Sequence, residues 1–373
     1  MKALVTGGAG LIGSHLVDLL LAEGWEVRVL DNLEPQTHLR GAPPWLRPES
    51  ELIKGDVRDP EALSFALVGV DVVFHLAAYG GYMPEMAKFF DVNSVGTARM
   101  LETIRDRRLP VRKVIVASSQ AVYAEGAVRC PEHGVVFPGV RPVDQLRTGD
   151  FSVRCPGCGA LSPSCPTPEQ APIGGDSIYA MTKADQERTV LTWSRQTGIP
   201  AVALRFSCTY GPRQSIFNPY TGVIAIFTTR LLAGQQPVIY EDGLQTRDLC
   251  FVEDVARANL LAAVSDRADG QAINIGSGVA ASIASVADLI GEFLGVEVEP
   301  ILRGEFRPGE IRALTSDITR ARAIGYEPHT DLRAGIAAYL EWILATGEIA
   351  DRFGGIEAGL REKGIVQMVG SAS

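Results

Sequence analysis

The stretch TGGAGLIG, Thr6 to Gly13, decides the fold. It lies between an apolar run, Ala3 to Thr6, that reads as a strand, and Leu11 to Glu23, which has the apolar density of a helix packed on a sheet. Gly24 is a natural stop for that helix. Gly7, Gly10 and Gly13 recur at intervals of three. Glycines so placed permit a tight turn and let a pyrophosphate approach the backbone, and the helix N-terminus turns its free N–H groups and dipole toward the negative charge. Leu11 and Ile12 belong to the same turn. The next segment, EVRVLD (Glu26 to Asp31), alternates and ends in an acid eighteen residues after Gly13. A carboxylate there can accept hydrogen bonds from a ribose diol and would repel a 2′-phosphate, so NAD is expected rather than NADP. A glycine-rich turn without a ligand is the plainer alternative, and the surrounding strand, helix and acid count against it.

The rhythm continues outward. Val70 to Ala77, Val114 to Ser119 and Ala201 to Arg205 read as further buried strands with helical patterns between them. Such alternation implies βαβ units: an α/β, Rossmann-like doubly wound parallel sheet with helices on both faces. Residues 1–206 are the expected NAD-binding domain. Residues 207–373 are the expected smaller substrate domain, with about 248–276 returning to the first sheet. Helices are expected at Val223 to Leu232, Val252 to Val264, Ile283 to Leu294 and Leu332 to Leu344. One segment breaks the pattern. Residues 126–172 are rich in Pro, Gly and Cys and have no clear period, so something within this insertion must supply order.

The chain has 373 residues, 46% of them hydrophobic and 21% charged, with a net charge of -9. That balance suits a large globular core and argues against a broad nucleic-acid footprint. No run of about 18 apolar residues suggests a membrane span. The N-terminus lacks the apolar region and cleavage site of a secretory signal, so a cytoplasmic setting with reduced cysteines is expected.

Tyr179 and Lys183, in SIYAMTKADQE, are four residues apart and would share one helix face. A lysine cation beside the phenol would favour phenolate and bring the tyrosine toward neutral pKa for base work. Ser119 ends a strand upstream, where its hydroxyl could bond a substrate hydroxyl. A lone Y-x-x-x-K also suits a solvated helix face; the glycine loop, Asp31 and Ser119, in this order, favour catalysis.

These segments together resemble the extended short-chain dehydrogenase/reductases of the nucleotide-sugar epimerase and dehydratase family. The similar blocks are TGGAGLIGSHL, LDN, GDVRD, HLAA, DVNSVGT, VASSQAVY, YAMTK, YGPRQ, EDGLQTRDLCFVEDVA and NIGSG, in order over nearly the whole chain. The resemblance implies NAD contacts at Gly7, Gly10, Leu11, Ile12 and Gly13, at Asp31, Asn32, Asp56 and Val57, and at Leu76, Ala77, Ala78, Asn93, Ser118, Tyr179 and Lys183. It implies catalysis by Ser119, Tyr179 and Lys183. It places a sugar nucleotide against Gly81, Tyr82, Ser119, Cys208 and Asn218, with Arg247 and Arg307 holding the diphosphate; guanidinium forks suit phosphates. A homodimer is typical of the family.

The residues after Ser119 bear on the reaction. The family's dehydratases carry an Asp-Glu pair there, because elimination needs an acid and a base, and its decarboxylases carry a Glu two positions on. Here those positions are Gln120 and Ala121. This favours 4-epimerisation: transient NAD-dependent oxidation at sugar C4, rotation of the 4-keto sugar, and re-reduction. The alternatives are another NAD-dependent nucleotide-sugar enzyme (dehydratase, 3- or 5-epimerase, 4-dehydrogenase or reductase) and an NAD-binding scaffold with a partner-contacting loop. Within the family, the cysteine-rich insertion, YGPRQ and NPYTGV resemble the dTDP-L-rhamnose 4-epimerase group. Two departures lie on the sugar side. AAYGGYMPEM is unusual, and Cys208 stands where the family has Asn.

Cys130-Pro-Glu-His133 and Cys155-Pro-Gly-Cys158 form two knuckles with 21 residues between them. Paired ligands of this spacing suit a structural tetrahedral zinc, which would order the insertion. Cys165 is the alternative to His133 as fourth ligand. Free thiols and a redox pair are the competing readings, and Pro156-Gly157 in a proline-rich loop fits redox chemistry poorly. Cys250 reads as a buried cysteine.

Overall fold

Seven strands form one parallel sheet: β1 (Lys2–Thr6), β2 (Glu26–Asp31), β3 (Glu51–Lys54), β4 (Val72–His75), β5 (Lys113–Ser119), β6 (Ala201–Phe206) and β7 (Ala272–Ile275), in the spatial order β7-β6-β5-β4-β1-β2-β3. The structure is a computed structural model that describes residues 1–35, 37–80, 85–215, 222–347, 361–362 and 364–370. Every residue of β5 and β6 is buried, as the continuous apolar runs imply for strands covered on both faces. Helices Leu11–Ala22 and Val252–Val264 share a core with one face of the sheet. Helices Pro60–Ala66, Gly96–Asp106 and Ile178–Thr197 contribute to the core on the other.

The strand order reverses between β1 and β4, because the chain builds outward from β1 in both directions. Ligands of such sheets bind at that switch point, beyond the C-terminal strand ends. Thr6, Asp31, His75 and Ser119 all lie at those ends.

The expected helices at 223–232, 252–264 and 283–294 are present with those bounds, and the last runs over Leu332–Thr346. β3 was not singled out as a sheet strand; β7 lies within residues 248–276, which were expected to return to this sheet, but had no bounds of its own. β3 is an edge strand with no buried residue, and β7 carries a polar residue, Asn274, at a fully buried position. Each is only four residues long, too short for periodicity to decide. Asn274 is affordable there because its amide donates to Thr167 O at 2.9 Å and its N–H to Glu169 Oε1 at 3.0 Å.

A second, smaller sheet is built around Thr246–Phe251. That strand pairs with Cys208–Tyr210 and Ala313–Leu314 in parallel and with Ala280–Ser282 antiparallel. Its buried Asp248 accepts from Ser277 N, Gly278 N and Ser316 N at 2.7, 3.2 and 3.0 Å, which ties two further segments to one carboxylate. The insertion has backbone order of its own: a hairpin of Val128–Cys130 with Gly134–Val136, and a short helix Val143–Arg147. Among the described residues no helix is long and apolar enough to cross a membrane.

His75, at the end of β4, is fully buried and bonds Thr6 Oγ1 at 2.8 Å and Thr97 Oγ1 at 2.9 Å. Burial, with the nearby Lys183 charge, pulls its pKa down to about 3. Burial likewise lowers His15 to about 4. Unfolded histidine binds a proton near pH 6.5. Between these values the unfolded chain therefore holds more protons than the folded one, and stability falls as pH drops from about 6.5. Each histidine contributes up to about 1.4 kcal/mol per pH unit in that window. Urea denaturation between pH 7 and 4.5 should show the slope, and His75→Gln should flatten it; an unchanged slope in that variant would refute the assignment.

Candidate active site

A cavity of about 990 Å³ opens at the switch point and runs from the glycine loop to the second sheet. The glycine loop is closed by backbone bonds, Gly7 N–H to Leu30 O at 2.9 Å and Gly10 N–H to Gly7 O at 3.1 Å. Gly7 has φ +70° and lies so close to β4 that a Cβ would stand 2.8 Å from Ala77 N. A Cβ on Gly13 would stand 2.2 Å from Gly7 O. Those two glycines exist for packing, whereas Gly10 meets only Gly7 O, at 3.3 Å. Leu11, Ile12 and Gly13 continue the cavity wall into the helix.

Asp31 fastens this loop: its carboxylate accepts from Ala9 N–H at 2.9 Å and Leu33 N–H at 2.8 Å. Asn32 and Asp56 stand beside it, joined by an Asn32 Nδ2–Asp56 Oδ2 bond of 2.9 Å. Arg58 grips Asp56 with both arms of its fork, at 2.9 and 2.8 Å, and holds that carboxyl at a pKa of about 2. Val57, Leu76, Ala77, Ala78 and Ser118 also line the cavity. The loop, the acid and the backbone donors fit a dinucleotide, with the acid placed for a ribose diol.

Asn93 does not line this cavity. It sits in a π-helical segment, Phe90–Val95, fully buried. Its amide accepts from Tyr79 N at 2.8 Å and donates to Tyr79 O at 2.9 Å and Thr182 Oγ1 at 3.0 Å. It thus braces the segment after β4 against the Tyr179 helix.

Ser119, Tyr179 and Lys183 converge on the cavity. Ser177 caps the helix that carries the last two, accepting from Ala180 N–H, and Gly198 in a left-handed conformation ends it. The electrostatics correct the expectation for the tyrosine. Burial pushes the Tyr179 phenol up, against a lowering hydrogen bond with Ser119. Lys183 Nζ lies 5.9 Å from the phenol ring centroid and donates to Ala117 O at 2.7 Å and Gln186 Oε1 at 2.9 Å. Burial lowers the lysine to about 7. The helical spacing put both residues on one face but could not show that the ammonium bonds elsewhere. Gln186 in turn donates to Thr97 Oγ1 at 2.8 Å, the hydroxyl that His75 bonds, so a buried polar chain runs from Lys183 to Thr6.

On the far wall, Cys208 lines the cavity and accepts from Gln120 Nε2 at 3.0 Å. Arg247 and Arg307 line it too, and both bond the carboxylate of Glu310. Arg307 also lies 4.4 Å over the Tyr240 ring. Glu310 was not singled out from the sequence, although it lies three residues after Arg307. Gly81, Tyr82 and Asn218 lie outside the described residues.

In the insertion, Cys130, His133, Cys155 and Cys158 bring their ligand atoms within 4.8 Å of one another. Cys130 Sγ lies 3.6 Å from both Cys158 Sγ and His133 Nδ1, and Cys155 Sγ lies 3.5 Å from the same nitrogen. A tetrahedron with metal bonds of about 2.3 Å to sulfur and 2.0 Å to nitrogen has edges of about 3.5–3.8 Å. The donor set therefore fits zinc, through Nδ1 of the histidine. Cys165 is outside this group. Cys250 is buried, which pushes its pKa up to about 12.

A dinucleotide cleft that opens onto a serine, a tyrosine and a lysine places the chain in the class of short-chain dehydrogenase/reductase folds. Residues 3–137 and 156–276 match the NAD dependent epimerase/dehydratase family, and the chain belongs to that family. It is 36% identical over 351 residues to a dTDP-L-rhamnose 4-epimerase from Burkholderia thailandensis, covering 92% of this chain and 94% of that protein. It is 33% identical to a putative UDP-glucose 4-epimerase from Methanocaldococcus jannaschii, covering 91% and 97%. Among solved structures, a UDP-glucose 4-epimerase from Thermotoga maritima with UDP-glucose superposes with a TM-score of 0.75 at 31% identity, over 93% of this chain and all of that one. The Thermus thermophilus UDP-glucose 4-epimerase in complex with NAD gives 0.70 at 28% identity, covering 92% of this chain and 99% of that one.

Proposed function

We propose that this protein is an NAD-dependent nucleotide-sugar 4-epimerase. The observation that carries this reading is the convergence of Ser119, Tyr179 and Lys183 without a carboxylate at either position after Ser119. Gln120 is turned to Cys208, and Ala121 gives its N–H to Ser119 Oγ at 3.1 Å. Elimination needs an acid and a base beside the sugar; oxidation and reduction at one carbon need only one proton relay. The dTDP-L-rhamnose and UDP-glucose 4-epimerases among the relatives support the same reading.

Bound NAD supplies the acceptor and donor of the C4 hydride. The chain's own residues do the rest. Ser119 Oγ orients the C4 hydroxyl toward Tyr179. Tyr179 receives that proton as C4 becomes a ketone and returns it when the ketone is reduced on its opposite face. Lys183, held by Ala117 O and Gln186 with its nitrogen 5.9 Å from the ring centroid, offsets in its charged form part of the rise that burial gives the phenol. Arg247 and Arg307 hold the diphosphate, so the keto sugar can turn without leaving. The Cys130, His133, Cys155 and Cys158 set binds one structural zinc. A homodimer in a reducing, cytoplasmic setting completes the reading.

The test is incubation with dTDP-, UDP-, GDP- and CDP-sugars in deuterated water, followed by NMR. C4 inversion without solvent deuterium is the expected result. A stable 4-keto-6-deoxy product, or deuterium at C3 or C5, would overturn it. Tight NAD binding without turnover on any sugar would instead favour a scaffold.

A further inference from the structure

Arg141, a side chain of the insertion, reaches the frame that holds Arg247 and Arg307. Residues 138–155 fall between the two stretches that match the family, so Arg141 belongs to what this chain adds to the common fold. It is 5% exposed and uses every donor of its guanidinium. Nε donates to Glu125 Oε1 at 2.6 Å. One terminal nitrogen donates to Phe151 O and to Glu241 Oε2, both at 3.1 Å. The other donates to Glu241 Oε1 at 2.8 Å and to Glu310 O at 2.7 Å.

Two of these partners lead to the site. Glu310 offers its carbonyl to Arg141 and its carboxylate to both Arg247 and Arg307. Glu241 follows Tyr240, the ring on which Arg307 rests. Glu241 has φ +54°, a left-handed conformation that a non-glycine residue keeps only when its surroundings hold it. Its carboxylate is held by Arg141 on one side and by Arg312, at 2.9 Å, on the other. Glu125 joins the same frame, accepting Arg312 N–H at 2.7 Å just before the strand that pairs with Arg247.

We propose that Arg141 is a positioning residue: it sets the spacing of Arg247 and Arg307, and so couples the cysteine-rich insertion to binding of the nucleoside diphosphate. This rests on the reading that those two arginines hold the diphosphate. No lysine can replace it, because an ammonium has three donors on a flexible stem, whereas this site needs a planar fork with five.

The experiment measures binding of dTDP, UDP, GDP and CDP to the NAD-loaded protein by calorimetry, with NAD content and, once a substrate is found, kcat and KM. Arg141→Lys should weaken the nucleoside diphosphate about tenfold or more and raise KM, with kcat within about threefold of wild type and NAD content unchanged. Glu241→Gln, which keeps the shape but weakens the charge-assisted bonds, should act in the same direction to a smaller extent, and carries the test if Arg141→Lys does not fold. Arg247→Ala and Arg307→Ala separate the two claims. If neither weakens nucleoside diphosphate binding, the diphosphate reading falls and this proposal with it. If they weaken binding while Arg141→Lys and Glu241→Gln bind as wild type, the coupling alone is overturned. Parallel loss of NAD and diphosphate in the Arg141 variant would also overturn it, by making the residue a general scaffold.

Discussion

Tyr179→Phe should lower kcat about 10³-fold while leaving NAD content and nucleotide-sugar KM nearly unchanged. The phenol joins Ser119 to the helix carrying Lys183, and Tyr179 lines the cavity. Positioned proton transfer contributes roughly 10²–10⁴ in rate. In the proposed relay, removing the oxygen removes the proton acceptor for the C4 hydroxyl and the donor for its return, so both half-reactions should suffer. The cofactor should stay, because Lys183 takes its bonds from Ala117 O and Gln186 rather than from the phenol. The ring also keeps its packing, an edge contact with Phe89 at 6.3 Å between centroids. Single-turnover assays on the folded variant, with bound NAD measured after denaturation, check both halves. A kcat within tenfold of wild type would remove Tyr179 from the proton relay.

Cys155→Ser should cut bound zinc from about one per chain to under about a tenth, and open the insertion to proteolysis. Cys155 is 2% exposed and stands 3.5 Å from His133 Nδ1, so in the proposed zinc site it is one of four ligands and serine offers no thiolate in its place. Cys165→Ser is the control and should keep its metal, since Cys165 lies outside the cluster. Metal analysis of the two variants, grown with zinc and dialysed, gives the answer. Equal metal content in both would sink the assignment. The expected damage goes beyond the loop, because Thr167 N–H bonds Thr315 O at 2.8 Å and Asp317 N–H bonds Thr167 O at 3.0 Å. The end of the insertion is thereby stitched to the chain just after the strand beside Arg247.

The parts legible in the sequence are those governed by short spacing. Gly7, Gly10 and Gly13 state a turn, and the apolar runs around them state a buried strand and helix. The four-residue step from Tyr179 to Lys183 states a shared helix face. The knuckles Cys130–His133 and Cys155–Cys158 each state a pair of ligands on one turn, and the structure brings the two pairs together. β3 was missed because an exposed edge strand carries no buried apolar signal, and β7 was expected only as part of a returning segment, without bounds of its own. The phenol was expected near neutral pKa, yet burial raises it, because spacing says who is near and nothing about desolvation.

The sequence by itself determined that this chain folds as a parallel dinucleotide-binding sheet, with Ser119 at a strand end and Tyr179 and Lys183 on one helix, since each depends on residues a few positions apart. Only the tertiary structure decided that Lys183 hangs from Ala117 and Gln186, that Asn93 braces Tyr79, and that Arg141 holds the residue between Arg247 and Arg307. Arg141 and Glu310 are 169 positions apart in the chain. No periodicity spans that distance. Such contacts are chosen by which buried polar groups can find partners once the strands have closed, and a buried donor without one costs too much to keep.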